Sequence, residues 1–390
     1  MNHPGKKPET QAVALATMDE LRERIRAKSK LKGRQADETS LQEVRALIGE
    51  RPEAGHRRDL LIEHLHKLND AYRCLHDRHL VALAKEMNLP MAEVYEVATF
   101  YHHFEVVRDG NAPGLTVRVC DGLSCEIAGA QNLLARLPAI LGGDVRVVAA
   151  PCVGRCEQAP VAVVHQNPVL MATPEAVAEV VNAGQTQQPA SSDATQFVAA
   201  EFSERSISPS PQAQEVSPAT VRYAAYRAAG GYALAAALHD GQQDAEAVVK
   251  AMEDSGLRGL GGAGFPAGRK WRIVRDQPAP RLMAVNIDEG EPGTFKDRTY
   301  LERDPHRFLE GLLVAAKVVG TDACYIYLRD EYHGCRDMLE QELAALQANP
   351  PCPLPKIELR RGAGAYICGE ESAMIESIEG KRGEPRMRPP

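Results

Sequence analysis

Residues 256–271 read G-L-R-G-L-G-G-A-G-F-P-A-G-R-K-W, and the rest of the chain is organised around this glycine-rich stretch. Glycine reaches backbone angles that are closed to other residues and lets a ligand lie directly on the chain. Free N–H groups that lead into a helix form a natural phosphate cradle. Arg258, Arg269 and Lys270 add positive charge beside it. The stretch therefore predicts a phosphate-binding loop, although a single glycine-rich loop is also compatible with a simple turn.

Two later loops have the same character. The first follows a strand-like run at residues 282–285 and reads N-I-D-E-G-E-P-G-T-F-K-D-R over residues 286–298. The second reads R-G-A-G-A-Y-I-C-G-E-E-S over residues 361–372 and opens a helix that is rich in carboxylates. Three glycine-rich loops in order, each with charged neighbours, indicate a nucleotide or flavin site.

Length and charge exclude some classes of protein. The 390 residues are enough for two or three domains. The net charge of -7 argues against nucleic acid as the main partner, because phosphate binding needs clustered Lys and Arg. The longest apolar runs, such as residues 312–316, fall far short of a membrane span, and no apolar signal segment follows Met1. We therefore expect a cytoplasmic protein with no membrane span.

Periodicity and composition divide this α/β chain into four segments. Residues 1–55 are polar and charged and predict an N-terminal tail. Residues 56–183 begin with helical spacing of apolar residues and change, after Gly114, to the interleaved strands and helices of a small thioredoxin-like domain. Residues 184–218 are rich in Gln, Ser, Ala and Pro, which is typical of a linker. Residues 219–390 repeat β–α units, which predicts a Rossmann-like domain with ligands at the strand C-termini.

Cysteine spacing indicates a metal site. Nine cysteines without an export signal favour reduced thiols or metal ligands over disulfides. Cys120 and Cys125 form a C-x4-C pair, Cys152 and Cys156 form a C-x3-C pair, and each pair follows a predicted strand. Four thiolates suit zinc or an iron–sulfur cluster. Structural zinc pairs are more often two residues apart, so the wider spacing favours [2Fe–2S], with zinc or unliganded thiols as alternatives.

These motifs carry a resemblance to a known family. The first half, with the phrase E-V-A-T-F-Y at residues 96–101, resembles the thioredoxin-like [2Fe–2S] subunit of respiratory complex I and its soluble relatives. The second half resembles the FMN/NADH-binding subunit of the same group and carries its three loops. Their fusion resembles the β (diaphorase) subunits of molybdenum- or tungsten-dependent, NAD-linked formate dehydrogenases, and also the diaphorase subunit of NAD-reducing hydrogenases. Leu260 and the sequences of residues 281–286 and 304–311 favour the formate dehydrogenases.

The resemblance implies a set of cofactor-binding residues in the three loops. In chain order they are Gly259, Gly261, Gly262, Gly264, Phe265, Lys270, Asn286, Asp288, Glu289, Glu291, Tyr366, Gly369, Glu370 and Glu371. Phe265 and Glu291 would line the NADH side, and Lys270 and the glycines suit the FMN phosphate. A competing interpretation places Glu370 and Glu371 at a helix N-terminus, where they complement the helix dipole. No side chain is expected to be catalytic, because FMN itself carries the hydride chemistry.

The resemblance implies an NAD(H)-linked diaphorase with FMN, NAD(H) and one [2Fe–2S] cluster. The whole enzyme would convert formate and NAD⁺ to CO₂ and NADH, with formate oxidised on a partner α subunit that carries a molybdenum- or tungsten-pterin and iron–sulfur clusters. The alternatives are a subunit of an NAD-reducing hydrogenase, a complex I fusion, and a non-catalytic electron-transfer or assembly protein. We expect the family's [4Fe–4S] site to be absent from this chain and the flavin domain to be incomplete at its C-terminus.

Overall fold

A computed structural model describes residues 34–108, 114–189, 219–260 and 263–387. Within these ranges the chain forms three packed units. We call them the helical unit (residues 34–108), the thioredoxin-like domain (residues 114–189) and the C-terminal half (residues 219–387). None of the helices in the described ranges is long and apolar enough to cross a membrane.

The helical unit contains four helices and one pair of very short parallel strands. In chain order they are α1 (Glu38–Ile48), α2 (Leu61–Tyr72), β1 (Leu75–His76), α3 (Asp77–Met87), α4 (Met91–Phe100) and β2 (Val106–Val107). Apolar side chains three and four residues apart form its core, and Leu61, Leu65 and Leu68 of α2 are fully buried.

Helix α1 lies inside the segment that the sequence assigns to a polar tail. Leu41, Val44 and Ile48 share one face of this helix and are buried in the core of the helical unit. Asp37 caps the helix, because its carboxylate accepts a hydrogen bond from the Ser40 N–H at 2.8 Å. The structure therefore places a packed helix at residues 38–48, inside the expected tail. Residues 1–33 lie outside the described residues, so the tail stays a prediction for them.

The thioredoxin-like domain is a four-stranded sheet with helices, and its interleaved strands and helices agree with the sequence prediction. Its elements are β3 (Leu115–Cys120), α5 (Leu123–Ile127), α6 (Ala130–Leu141), β4 (Val145–Ala150), β5 (Ala162–Val164), β6 (Asn167–Val169) and α7 (Pro174–Asn182). The strand order is β4-β3-β5-β6, in which β3 and β4 are parallel and the other pairs are antiparallel.

The C-terminal half is an α/β unit around three parallel strands. Its elements are α8 (Tyr223–Ala228), α9 (Ala233–His239), α10 (Ala245–Asp254), α11 (Ala267–Arg275), β7 (Leu282–Ile287), α12 (Lys296–Arg303), α13 (Pro305–Val319), β8 (Ala323–Leu328), α14 (His333–Ala348), β9 (Lys356–Arg361) and α15 (Glu371–Ile378). The strand order is β7-β8-β9, so the repeated β–α units form the parallel sheet that the sequence predicts.

The helical unit packs against the C-terminal half. Tyr327 of β8 and Met374 of α15 are buried in the same cluster as the apolar residues of the helical unit. Tyr101, directly after α4, donates a hydrogen bond to the carbonyl oxygen of Lys381 at 2.7 Å. The sequence groups residues 56–183 into one domain, whereas the structure joins the first part of that segment to the sheet of the C-terminal half.

The start of the expected linker is also packed. Gln187 forms a β-bridge with Gln166 of the thioredoxin-like domain. The side-chain oxygen of Gln188 accepts hydrogen bonds from the Arg155 guanidinium at 3.2 Å and from the Gly334 N–H at 3.3 Å. Residues 190–218 lie outside the described residues, so the linker assignment stays a prediction for them.

Candidate functional site

Strand pairing brings the four predicted cluster ligands together. The parallel strands β3 and β4 stay in register up to Cys120 opposite Ala150, so their C-terminal ends lie side by side. Cys120 ends β3, Cys125 lies in α5, and Cys152 and Cys156 follow β4. The Cys120 side chain interacts with those of Cys125 and Cys152. The Sγ atoms of Cys152 and Cys156 are 3.4 Å apart, so the four thiols form one continuous group.

The surroundings of these thiols fit an iron–sulfur cluster. Three of the four cysteines are buried. Backbone N–H groups point at two of the sulfurs, from Gly154 to Cys152 at 3.4 Å and from Gly293 to Cys156 at 3.2 Å. Hydrogen bonds of this kind tune the potential of a cluster. A Cβ at Gly122 would lie 3.2 Å from the Cβ of Cys152, so glycine lets the two cysteine loops approach each other.

The second and third glycine-rich loops meet beyond the carboxyl ends of β7 and β9. The Asn286 amide donates to the carbonyl oxygen of Gly369 at 2.9 Å and accepts from the Asp288 N–H at 3.1 Å. Tyr366 and Gly369 are exposed. A Cβ at Gly290 would lie 3.3 Å from the Tyr366 ring, so this ring covers bare backbone. An aromatic ring, an amide and bare backbone around a sheet edge suit a flat polar ligand such as flavin.

Asp288 is a buried acid beneath this surface. The residue is 5% exposed, and a Cβ at Gly369 would lie 3.4 Å from its Oδ2. Burial raises the pKa of the Asp288 carboxyl to about 7; the positive charge of Arg329 opposes this shift and the negative charge of Glu331 adds to it. Near neutral pH this carboxyl can therefore donate as well as accept a hydrogen bond.

Glu289 is turned into the protein. Its side chain is 1% exposed and accepts hydrogen bonds from the N–H groups of Asp297 at 2.8 Å and Arg298 at 3.2 Å, which caps α12. The Tyr332 hydroxyl donates to the same carboxylate at 2.7 Å. The backbone of Glu289 has a φ of 34°, in the left-handed region that few residues other than glycine adopt. A contact from Glu289 to a cofactor would therefore have to come from its backbone.

Glu370 has the capping role that the competing interpretation gave it. Its carboxylate accepts hydrogen bonds from the N–H groups of Ser372 at 2.9 Å and Ala373 at 2.8 Å, at the N-terminus of α15. Glu291, by contrast, is exposed and accepts a hydrogen bond from the hydroxyl of Tyr366. Glu291 therefore lies beside the exposed aromatic ring of the third loop.

The first glycine-rich loop is closed by its own hydrogen bonds. The Gly259 N–H donates to the carbonyl oxygen of Phe265 at 3.0 Å, and the Arg258 guanidinium donates to that of Gly264 at 3.0 Å. The N–H of Gly259 is thus bonded within the loop and does not add to a phosphate cradle. The Phe265 ring remains 43% exposed, where a planar ligand can reach it.

The other residues predicted to contact the cofactor are exposed or lie outside the described residues. Lys270 is exposed in the first turn of α11, and Glu371 is exposed in the first turn of α15. Gly261 and Gly262, which carry the predicted phosphate contact, lie outside the described residues.

Sequence reasoning missed residues 329–333. This segment joins the loop that carries Cys152 and Cys156, which we call the cluster loop, to the second glycine-rich loop. The Arg329 guanidinium donates to the carbonyl oxygen of Cys152 at 2.5 Å and to that of Glu289 at 2.6 Å. The segment directly follows the buried strand β8. A run of charged and aromatic residues at the carboxyl end of a buried parallel strand is the signal that could have identified it.

A second group of potential metal ligands surrounds Asp330. Ligand atoms of His66, His103 and Asp330 lie within 4.8 Å of one another. Burial lowers the pKa of both imidazoles, so both are neutral. Burial alone would raise the pKa of the Asp330 carboxyl, but Arg361, which lies 2.7 Å away, holds that pKa well below its usual value. Because Arg361 already supplies the positive charge, this group is a buried polar junction rather than a cation site.

Asp288 should make the protein less stable as the pH rises toward neutrality. Its folded pKa of about 7 exceeds the ordinary value, so the folded state holds the proton more tightly than the unfolded state, and stability falls as the pH rises from about 4 to 7. Asp288→Asn cannot ionise. Thermal denaturation should therefore show the stability of the variant rising relative to that of the wild type between about pH 4 and 7, with little further change above that range. Asp337→Asn, on an exposed carboxylate, should follow the wild type, and a pH-independent difference for Asp288→Asn would disprove the shift.

Each half of the chain matches a known protein family. Residues 44–185 match the family described as thioredoxin-like [2Fe-2S] ferredoxin, and residues 252–390 match the family described as Nuo51 FMN-binding domain. These matches support the predicted FMN, NAD(H) and [2Fe–2S] cofactors.

Individual relatives match one part of the chain at a time. The chain is 47% identical over 154 residues to the mitochondrial NADH dehydrogenase (ubiquinone) flavoprotein 1 of Dictyostelium discoideum, which is 37% of this chain and 32% of that protein. It is 46% identical over 155 residues to the NAD-reducing hydrogenase HoxS subunit alpha of Cupriavidus necator, which is 37% of this chain and 26% of that protein. The chain thus spans less than two thirds of the length of these relatives.

A solved structure matches across both halves. The crystal structure of an NAD+-reducing [NiFe]-hydrogenase in the air-oxidized state superposes with a TM-score of 0.65 and 31% identity, over 87% of this chain and 57% of that chain. The four cysteines fall within the first family match, and the three glycine-rich loops fall within the second. The chain therefore joins a thioredoxin-like [2Fe–2S] domain to a Nuo51 FMN-binding domain.

Proposed function

We propose that this chain is a diaphorase subunit that passes electrons between NAD(H), FMN and the [2Fe–2S] cluster. The observation that supports this proposal is a direct contact between the second glycine-rich loop and the cluster loop. Gly293 of that loop donates its N–H to the Sγ of Cys156 at 3.2 Å. Two redox sites that share a boundary within one chain suit electron transfer better than a purely structural role.

The residues around the sheet edge bind and orient the flavin in this proposal. FMN, when bound, takes two electrons together from NADH and passes them on singly to iron–sulfur centres. Asn286 and Gly369 present polar groups to the ligand, and Tyr366 and Glu291 form the exposed rim on the nucleotide side. Asp288 holds a proton beneath that surface near neutral pH, where it can bond either a donor or an acceptor of the ligand.

We further propose that the subunit belongs to a cytoplasmic, molybdenum- or tungsten-dependent formate dehydrogenase, in which a partner α subunit oxidises formate. Leu260 and the sequences of residues 281–286 and 304–311 support this choice. Leu260 is 88% exposed, so the position that distinguishes this chain lies at the surface of the first loop. An NAD-reducing hydrogenase is the second candidate, because a solved structure of that name matches across both halves and a hydrogenase subunit matches 37% of the chain.

Purification of the complex from its native host separates these candidates. Molybdenum or tungsten, together with formate-dependent reduction of NAD⁺, would support the formate dehydrogenase. Nickel with hydrogen-dependent reduction would support the hydrogenase, and quinone reduction would support a complex I fusion. A flavin absorption band that NADH does not bleach would disprove the diaphorase and favour the non-catalytic alternative.

Lys270→Ala should weaken FMN binding roughly ten- to a hundredfold, because it removes one charge-assisted hydrogen bond to the phosphate, on the order of 1.5–3 kcal/mol. Gly262→Val should empty the site, because its side chain blocks the approach of the backbone to the ligand. Flavin fluorescence in a binding titration measures both effects. Lys250→Ala, on an exposed lysine paired with Asp254, is the matched control and should bind FMN normally. Normal affinity in both loop variants would show that the loop is only a turn.

Cys152→Ser should abolish the visible and EPR signals of the [2Fe–2S] cluster and lower the iron content, because a ligand thiolate is lost. Cys324→Ser is the control. Cys324 is fully buried in β8, and burial raises the pKa of its thiol to about 11, as expected of an ordinary core thiol. Stoichiometric zinc without iron in anaerobically purified wild-type protein would overturn the cluster assignment.

A further inference from the structure

The C-terminal half supplies groups that hold the loop carrying Cys152 and Cys156. The Arg329 guanidinium donates to the carbonyl oxygen of Cys152 at 2.5 Å. The Nε of Arg298 donates to the carbonyl oxygen of Gly154 at 3.2 Å. The peptides around one predicted cluster ligand are therefore held by two arginines that belong to the other half of the chain.

Tyr332 packs directly against the same loop. Gly154 has a φ of 70°, and a Cβ built there would lie 2.4 Å from the Tyr332 hydroxyl oxygen. Only glycine fits at this approach. The Arg329 guanidinium carbon lies 5.2 Å from the centre of the Tyr332 ring, so the ring also supports the guanidinium. This packing fixes the distance between the cluster loop and Arg329.

Arg329 is buried and keeps its charge. It is 5% exposed, and burial alone would lower the pKa of Arg329. Glu331, which lies 3.2 Å from its guanidinium, acts together with Tyr332 and Asp288 to raise that pKa above its ordinary value. The Glu331 side chain is 20% exposed, so water screens part of its charge. Arg298 instead pairs with two carboxylates, those of Glu157 and Glu302. Arg329 therefore carries the less compensated positive charge beside the cluster loop.

We propose that Arg329 is a positioning residue for the [2Fe–2S] cluster, which fixes the Cys152 loop and raises the reduction potential of the cluster. The inference rests on the proposed cluster at the four cysteines and assigns control of its potential to a residue of the other half. Reduction adds one negative charge, so a nearby buried positive charge stabilises the reduced form. The same guanidinium donates to the carbonyl oxygen of Glu289 at 2.6 Å, so the flavin loop helps to fix it.

Potentiometric titration of the [2Fe–2S] EPR signal in the full chain, with iron content measured on each variant, tests this role. Arg329→Gln removes the charge and should lower the potential by about 59 mV, which is a tenfold change in the ratio of oxidised to reduced cluster for one electron. Arg329→Lys keeps the charge but loses the planar fork, and should shift the potential less. Glu331→Gln removes the compensating negative charge but keeps an acceptor, and should raise the potential.

Arg136→Gln is the control. Arg136 lies on α6 of the thioredoxin-like domain and pairs with Glu175 at 3.0 Å, where both side chains are exposed. Its loss should leave the potential unchanged. Full iron and a wild-type potential in Arg329→Gln would overturn the proposal, and so would a potential that is unchanged or lower in Glu331→Gln. If Arg329→Gln loses its iron, the Glu331→Gln result alone decides. Wild-type protein without iron would overturn the cluster assignment and, with it, this inference.

Discussion

The buried carboxylate of Asp330 lies where the helical unit meets the sheet of the C-terminal half, and the arrangement of the site depends on it. Its side chain is inaccessible to water, and the guanidinium of Arg361 lies 2.7 Å away. His103 of the helical unit lies 3.1 Å from its other oxygen, and Arg361 also pairs with Asp70 of α2 at 2.6 Å. Breaking a buried pair by removing one partner costs about 3–5 kcal/mol, because it leaves an uncompensated charge. The two units are therefore held together at this point.

The neighbours of Asp330 in the sequence carry this constraint to the redox sites. Arg329 reaches the carbonyl oxygen of Cys152, and Tyr332 reaches the carboxylate of Glu289. Because these residues are adjacent in the chain, the orientation of Asp330 also fixes the direction of the side chains on either side of it. One short segment after β8 thus sets the position of the cluster loop and of the second glycine-rich loop. The contacts of this segment therefore determine both how the helical unit packs and where the cluster loop lies relative to the second glycine-rich loop.

Local spacing was enough to predict the α/β class, the parallel sheet of the C-terminal half and the grouping of the four thiols, since cysteine pairs after adjacent parallel strands must lie close together. It could not decide the direction of individual side chains. Glu289 and Glu370 cap helices, because each lies within reach of free N–H groups, and a glycine-rich motif does not encode that choice. Pairings between distant segments were also out of reach. The contact from Tyr101 to Lys381 joins residues that periodicity assigns to different domains.

The fusion of the two halves explains how a polar boundary can hold the redox sites in register. The contacts around the cluster loop are hydrogen bonds and ion pairs, such as those of Arg298 with Gly154 and Glu157. In separate subunits such contacts would have to offset the lost freedom of association, which polar groups do poorly because each first loses its water. Covalent linkage makes the association intramolecular and raises the effective concentration of each half at the other. The hydrogen-bond donors along this boundary can then stay in contact with the cysteine sulfurs and with the carbonyl oxygens of the cluster loop.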